Sequence, residues 1–186
     1  MIYFTSDLHF CHDKEFLYKP RGFNSVDEMN EAIVEKWNST VWCDDDVYVL
    51  GDLMLCDNDK GSEYLKRLNG RIHIILGNHD TNTRILIYDS LPNVVSVAWG
   101  YKLKYEGITF FLSHYPCITE NTKIEPLNLT VFSLHGHTHS KELFNDMYPY
   151  AYNVALDAHD NTPVSAEQVK KDIVNRYHTL SDSLKI

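Results

Sequence analysis

The chain has 186 residues, 44% of them hydrophobic and 23% charged, which suits one domain with a sizeable core and is too apolar for disorder. Its 17 Lys and Arg stand against 26 Asp and Glu, a formal charge of -9. That balance excludes non-specific binding of duplex nucleic acid through the bulk field, and any phosphate handled here needs a local cation.

Short β-branched and aromatic runs read as buried strands, and most of them end in chemically capable residues. Ile2-Tyr3-Phe4 leads into Ser6-Asp7-Leu8-His9. Ser25-Val26-Asp27-Glu28 is a capping box, in which the Ser hydroxyl takes the Glu28 N–H and Glu28 reaches back. It opens a helix whose apolar stripe is Val26, Met29, Ile33 and Trp37. Val47 to Leu50 leads into Gly51-Asp52. Ser62 to Leu68 reads as a second helix, stopped by Asn69-Gly70. Ile72 to Leu76 leads into Gly77-Asn78-His79-Asp80. Val94 to Val97, Tyr101 to Tyr105 and Ile108 to Leu112 read as strands, with a hairpin turn at Glu106-Gly107. The last of these leads into Ser113-His114, and Val131 to Leu134 leads into His135-Gly136-His137-Thr138-His139. Asn153 to Leu156 reads as a strand ended by Asp157 and His159. A second capping box, Ser165 to Gln168, opens a final helix to about Tyr177. The order β-α-β-α-β, then antiparallel strands, then a helix predicts an α/β layered fold with two sheets in a single domain spanning residues 1–186.

The cysteines Cys11, Cys43, Cys56 and Cys117 form no Cys-x-x-Cys pair and read as reduced structural thiols. The first residues lack the basic start and apolar stretch of a signal peptide, and no run approaches the ~20 apolar residues of a membrane helix. A cytoplasmic protein without a membrane partner is expected.

Ligands of open α/β sheets bind beyond the carboxyl ends of the strands. Here those ends carry Asp7 and His9, Asp52, Asn78 and His79, His114, and His137 and His139. Each group is weak alone, and their ordered recurrence after apolar runs is the signal. A core has little use for so many clustered ionisable groups.

The chain resembles the calcineurin-like metallophosphoesterases, whose pattern is Asp-x-His, Gly-Asp, Gly-Asn-His-Asp or -Glu, a lone His, then Gly-His-x-His. It reads Asp7-Leu8-His9, Gly51-Asp52, Gly77-Asn78-His79-Asp80, His114 and Gly136-His137-Thr138-His139, all in order. The resemblance implies a four-layer α-β-β-α sandwich of two mixed sheets flanked by helices. It implies a two-metal site: Asp7, His9 and His139 on the first ion, Asn78, His114 and His137 on the second, and Asp52 bridging both. His79 would face the leaving group as proton donor, oriented by Asp80. Mixed carboxylate, imidazole and amide ligands suit borderline divalent ions, with Mn²⁺ first and Fe²⁺, Zn²⁺, Ni²⁺ or Co²⁺ as alternatives. A shared carboxylate can hold two such ions ~3.5–4 Å apart, and water between them becomes a nucleophilic hydroxide. An imidazole titrates near ~6.5, which suits proton donation to a departing alkoxide.

Other residues are weaker candidates for substrate contact. His12 follows His9 by three, where a small subgroup of relatives carries Phe-Gly-His with Gly in place of Cys11; it is read as touching the substrate, as supporting the first ion, or as a loop histidine. Arg21 and Arg84 could clamp a phosphate, against the plainer reading of surface arginines. Cys11 reads as a small buried thiol, and His135 and His73 as structural. Asp44-Asp45-Asp46 reads as a solvated turn, and Asp157 and His159 could stand behind the metal ligands, with nothing in the sequence to prefer that role.

Departures narrow the subclass. Gly51-Asp52-Leu53-Met54-Leu55 lacks the Arg of the protein Ser/Thr phosphatase branch, and the third block ends in Asp80 rather than Glu. The chain is short for the family and leaves no room for a cap domain. Phe10 to Asn24 and Tyr115 to Thr130 are expected to shape an open site. The leading expectation is a dinuclear phosphoesterase acting on a small ester, phosphodiesters ahead of monoesters on resemblance to small bacterial relatives. A non-catalytic scaffold and a nuclease for mononucleotides, cyclic nucleotides or short oligonucleotides are the rivals. A homodimer is left open.

Overall fold

The computed structural model describes residues 1–55, 57–119 and 125–183. Cys56 and the middle of the Tyr115 to Thr130 stretch lie outside the described residues. Of the other cysteines, Cys43 and Cys117 are free thiols.

Two five-stranded mixed sheets form the body of the molecule. In the first, β1 (Ile2–Thr5), β2 (Asp46–Leu50), β3 (Arg71–Ile75) and β4 (Val94–Ala98) run parallel, and β10 (Val164–Ser165) pairs antiparallel to β1. In the second, the hairpin β5 (Tyr101–Tyr105) and β6 (Ile108–Leu112) is followed by β7 (Val131–His135) and β9 (Tyr148–Asn153), both parallel to β6, with β8 (Phe144–Asn145) on the edge. The hairpin turns through Glu106 and Gly107, with φ of 43° and 87°, as a tight two-residue turn requires.

Helices flank the sheets: α1 (Glu15–Tyr18), α2 (Val26–Thr40), α3 (Asn58–Lys66), α4 (Asn82–Ser90) and α5 (Ala166–Ser183). One apolar core joins Met29, Ile33 and Trp37 of α2, Leu65 of α3 and Tyr88 of α4 to Val47, Val49, Ile72 and Ile74 of the first sheet. A second core lies between the sheets, where Phe4, Leu50 and Ile75 meet Phe110, Phe132, Leu134 and Tyr152, closed off by Val169 and Ile173 of α5. Phe4 and Phe110 meet edge to face at 5.8 Å. The strands β1 and β2 of the first sheet therefore send alternate side chains to one core and the other, Tyr3, Val47 and Val49 to the first and Phe4, Tyr48 and Leu50 to the second.

Local chemistry sets the helix boundaries. Ser25 Oγ accepts the Glu28 N–H at 3.2 Å, while the Glu28 carboxylate reaches one residue further back than a capping box requires, to the Asn24 N–H at 2.8 Å. The second helix begins before the predicted Ser62: Asp57 caps it through the Asp59 N–H, and Gly61 sits inside it because a side chain there would collide with Met54. The final helix runs past Tyr177 to Ser183. The strand predicted over Asn153 to Leu156 is instead the end of β9 followed by a 3₁₀ turn, η1 (Leu156–Ala158). The Asp44 to Asp46 turn is not simply solvated: Asp45 pairs with the N-terminal ammonium, and Asp46 grips Arg71 through two bonds of 2.9 and 2.6 Å. His73 stacks on Tyr48 at 4.6 Å and bonds Asp46 and Ser96, so it is structural, as expected.

Candidate metal centre

Parallel register brings the carboxyl ends of β1, β2 and β3 level, with Thr5 opposite Val49 and Leu50 opposite Ile75. Beyond those ends the ladder continues between loops: Asp7 N–H to Gly51 O at 3.0 Å, and His9 N–H to Asp52 O at 2.9 Å. The second sheet extends in the same way, from Gly136 N–H to His114 O at 3.0 Å, and meets the first where His114 Nδ1 reaches Leu50 O at 2.8 Å.

The backbone turns sharply where the candidate residues lie. Asp7, His9, Asp52, His137 and His139 all take left-handed conformations, with φ of 59°, 48°, 56°, 68° and 49°. Non-glycine residues accept this at roughly 1–2 kcal/mol each. Such strain, concentrated at strand ends, marks a site whose side-chain directions matter more than local comfort. The glycines of the blocks permit close approach. A Cβ on Gly77 would strike the Asp52 carboxylate, and one on Gly136 would strike Ser6 Oγ and the Asp7 carboxylate.

Each of the two buried carboxylates divides its oxygens between scaffold and site. Asp7 Oδ2 accepts the His137 N–H at 2.9 Å, which leaves Oδ1 buried and without a hydrogen-bond partner. Asp52 Oδ1 accepts the His79 N–H at 2.9 Å. Its Oδ2 faces His9 Nε2 at 3.6 Å, His114 Nε2 at 3.5 Å and His79 Nε2 at 3.9 Å. Asp7 Oδ1 lies 3.8 Å from both His9 Nε2 and His139 Nε2. On the other side, His114 Nε2 is 2.9 Å from Asn78 Oδ1 and 3.2 Å from His137 Nδ1. His114 Nδ1 bonds Leu50 O at 2.8 Å and must donate there, so its Nε2 carries a lone pair toward this group.

These donors fit divalent cations. Asp7 Oδ1 and His9 Nε2 are buried polar atoms without partners, a costly state unless something positive completes it. Asp7, His9 and His139 form one cluster of metal-ligating atoms, and Asp7, Asp52 and His114 form another, each within 4.8 Å. Asp7, His9, Asp52 and His114 are buried, whereas Asn78, His137 and His139 lie on the open side. The structure thus brings together all the ligands predicted from sequence, with Asp52 Oδ2 between the two groups.

The charges are shifted accordingly. Burial works to raise the Asp7 carboxyl, but the facing His9, His139 and His114 outweigh it and hold it below the ordinary carboxylate range. His139 is raised by its bond to Asp157, and His137 is lowered by burial and by His114. Burial and the charges of His9 and His79 push His12 down to about 4. His12 therefore enters as a neutral hydrogen-bonding ring, 5.2 Å from the ring of His9 and 5.8 Å from that of Phe16, with Nδ1 unpartnered.

His79 is partly exposed beside Asp52, where a substrate can reach it. Its expected orientation by Asp80 is corrected. The Asp80 carboxylate accepts the Asp52 N–H at 2.9 Å, the Gly77 N–H at 2.8 Å and the Tyr88 hydroxyl at 2.7 Å. It staples the β2 and β3 loops together and acts on His79 only through backbone. Arg21 as a phosphate clamp is corrected as well. It is buried, forks onto Asp157 at 3.0 and 2.7 Å, and donates to Asp7 O at 2.8 Å, so its guanidinium is spent inside the protein. Arg84 donates to His79 O at 2.5 Å and to Asn58 Oδ1 at 3.4 Å, which fits a loop support better than a substrate clamp. His135 is buried against Gly136 O, and Cys11 is buried, as expected. Two further residues border the site: Asp157, from the end of a predicted strand, bonded to His139 at 3.0 Å, and half-exposed Tyr115, whose ring meets those of His114 and His137 at 5.2 and 4.6 Å.

Two mixed sheets whose strand ends converge carboxylates, imidazoles and an amide on one open face define a metal-binding α/β protein. The family model for calcineurin-like phosphoesterases matches residues 1–183, and the chain belongs to that family. It is 34% identical over 181 residues to the uncharacterized protein MJ1445 of Methanocaldococcus jannaschii, covering 91% of this chain and 89% of that one. It is 28% identical to the gene 66 protein of Mycobacterium phage D29, covering 88% and 92%. Its fold is similar to that of the protein of unknown function AQ665 from Aquifex aeolicus, with a TM-score of 0.69 at 23% identity over 92% of this chain and 98% of that one. Among the described residues, no helix is long and apolar enough to cross a membrane.

Proposed function

We propose that this phosphoesterase is a dinuclear enzyme that hydrolyses small phosphodiesters. The observation that carries the reading is the pair of orphaned buried atoms, Asp7 Oδ1 and His9 Nε2, facing an Asp52 oxygen that also looks toward His114. Asp7, His9 and His139 would hold one divalent ion, Asn78, His114 and His137 a second, and Asp52 both. Mn²⁺ is the first candidate on the mixed oxygen and nitrogen donors. When bound, such ions neutralise non-bridging phosphate oxygens and acidify a water.

The chain's own residues do the rest. His79, partly exposed and 3.9 Å from Asp52 Oδ2, stands where it can give a proton to the leaving oxygen. Asp52 Oδ1 and Arg84 hold the backbone N–H and C=O of His79, which fixes the start of its side chain. Buried His9 and His114 form the floor of the site, and the open side admits the ester. The preference for diesters follows from charge. Arg21 is spent on Asp157 and Arg84 supports the His79 loop, so neither is placed to meet the second negative charge of a monoester. A cytoplasmic setting, with no membrane partner, completes the proposal.

The test is turnover of bis-aryl and mono-aryl phosphates by protein loaded with Mn²⁺. The reading predicts faster hydrolysis of the diester. A strong monoester preference reverses the substrate choice, and inertness toward both classes favours a non-catalytic scaffold.

A further inference from the structure

Behind His139 lies a pair of residues that belongs to none of the sequence blocks. Asp157 sits in the 3₁₀ turn η1, which is anchored just beyond β1 by Leu156 N–H to Ser6 O at 3.2 Å. Its Oδ2 faces His139 Nδ1 at 3.0 Å and accepts Arg21 Nη2 at 2.7 Å, and its Oδ1 accepts Arg21 Nε at 3.0 Å. The same Nη2 also donates to Asp7 O at 2.8 Å. One guanidinium therefore ties together the backbone of Asp7 and the carboxylate that holds His139. The Arg21 side chain is 1% exposed and that of Asp157 8%, so neither is a surface ion pair.

The direction of the His139 bond has a chemical consequence. A carboxylate at Nδ1 makes that nitrogen the donor, so the lone pair sits on Nε2. His139 Nε2 is the atom 3.8 Å from the orphaned Asp7 Oδ1. An imidazole held in this way is locked in tautomer and orientation, and is a more basic metal ligand. A buried ion pair made only for stability has no need to meet a third, partly exposed ring, and is weak evidence for stability in any case. On the other side of the site, the matching role at His114 falls to a carbonyl, Leu50 O at 2.8 Å. The two halves of the centre thus have different supports.

We infer that Arg21 and Asp157 are positioning residues that orient His139 and Asp7, and that they set the affinity of the first ion independently of the second. The inference rests on the dinuclear reading above. The hydrogen bonds of Asp157 and Arg21 reach His139 and the Asp7 backbone, and none goes directly to Asn78, His114 or His137.

The test combines Mn²⁺ titration calorimetry on chelator-treated protein with long-range ¹H–¹⁵N correlation spectra of the histidines in metal-free protein at pH 8. Wild-type protein binds two ions and shows His139 as the Nδ1–H tautomer. Asp157→Asn weakens one ion by about 10–100-fold, leaves the other unchanged, and mixes the His139 tautomers. Arg21→Lys keeps the charge but loses the fork, and weakens the same ion to a smaller degree. Wild-type affinities for both ions in a folded variant, equal weakening of the two, or an unchanged His139 tautomer in Asp157→Asn, overturn the inference. Should Asp157→Asn fail to fold, Arg21→Lys decides alone, with unchanged affinities as the contrary result. Wild-type protein that takes up no ion contradicts the dinuclear reading itself and removes the ground of the inference, which separates that failure from the others.

Discussion

The Asp80 carboxylate accepts the backbone N–H of Asp52 at 2.9 Å, so the last residue of one sequence block holds the carboxylate-bearing residue of another. The same oxygen takes the Gly77 N–H, and the other takes the Tyr88 hydroxyl. Asp80→Ala leaves these buried donors without an acceptor, at about 1–3 kcal/mol for each unsatisfied group. For a chain of this size each kcal/mol lowers Tm by about 2–4 °C. Thermal unfolding of the variant should show that loss together with reduced turnover, although the His79 ring is untouched. Unchanged Tm would show that the staple carries no load.

Gly136 permits the Asp7 carboxylate and Ser6 to approach the second sheet's loop. Gly136→Ala should displace the Asp7 side chain, because Ser6 is pinned by its own bond to Leu50 O at 2.6 Å and has little freedom to yield. The expected outcome is a folded protein with weakened metal binding, read by circular dichroism and Mn²⁺ titration. Normal affinity in this variant would mean that the close contact is not needed to aim Asp7.

His79 meets the site with an exposed edge and bonds the scaffold through its backbone. His79→Ala should therefore retain its metal content and lose about 10²–10⁴-fold in turnover, mostly for esters with poor leaving groups. Elemental analysis beside a leaving-group series checks both halves. Loss of metal would make His79 a ligand rather than a proton donor.

Much of this architecture is legible in the residues themselves. Val26, Met29, Ile33 and Trp37 announce α2 because one face must be buried. The helix α4 goes unread because among its residues only Tyr88 is buried, so no stripe forms. The predicted start at Ser62 falls inside α3, since the contact with Met54 that suits Gly61 to the helix cannot be seen along the chain. The ligand blocks are visible because each follows its strand directly. Asp157, by contrast, reaches His139 across 18 residues and Arg21 across 136, by folding alone. Arg21 reads in the sequence as a surface arginine or a clamp for the same reason: its buried partner is invisible there.

Burial lowers the pKa of His159, which is held through Nε2 to Asn153 O at 2.8 Å. The unfolded chain therefore binds the proton more readily than the fold does. Its contribution to stability is full above the ordinary ~6.5 and is lost as pH falls toward the lowered folded value. Replacing it, as in His159→Gln, should flatten the fall in Tm of the metal-free protein between pH 7 and pH 5. Identical slopes for the two proteins would show that His159 is not held neutral by the fold.

The central claim is a pair of cations sharing Asp52. Equilibrium dialysis of wild-type protein and Asp52→Asn against Mn²⁺, followed by elemental analysis, tests it most directly. The account predicts two ions per chain in the wild type and the joint weakening of both in the variant. Fewer than two ions in the wild type, or two tightly held ions in Asp52→Asn, would contradict it.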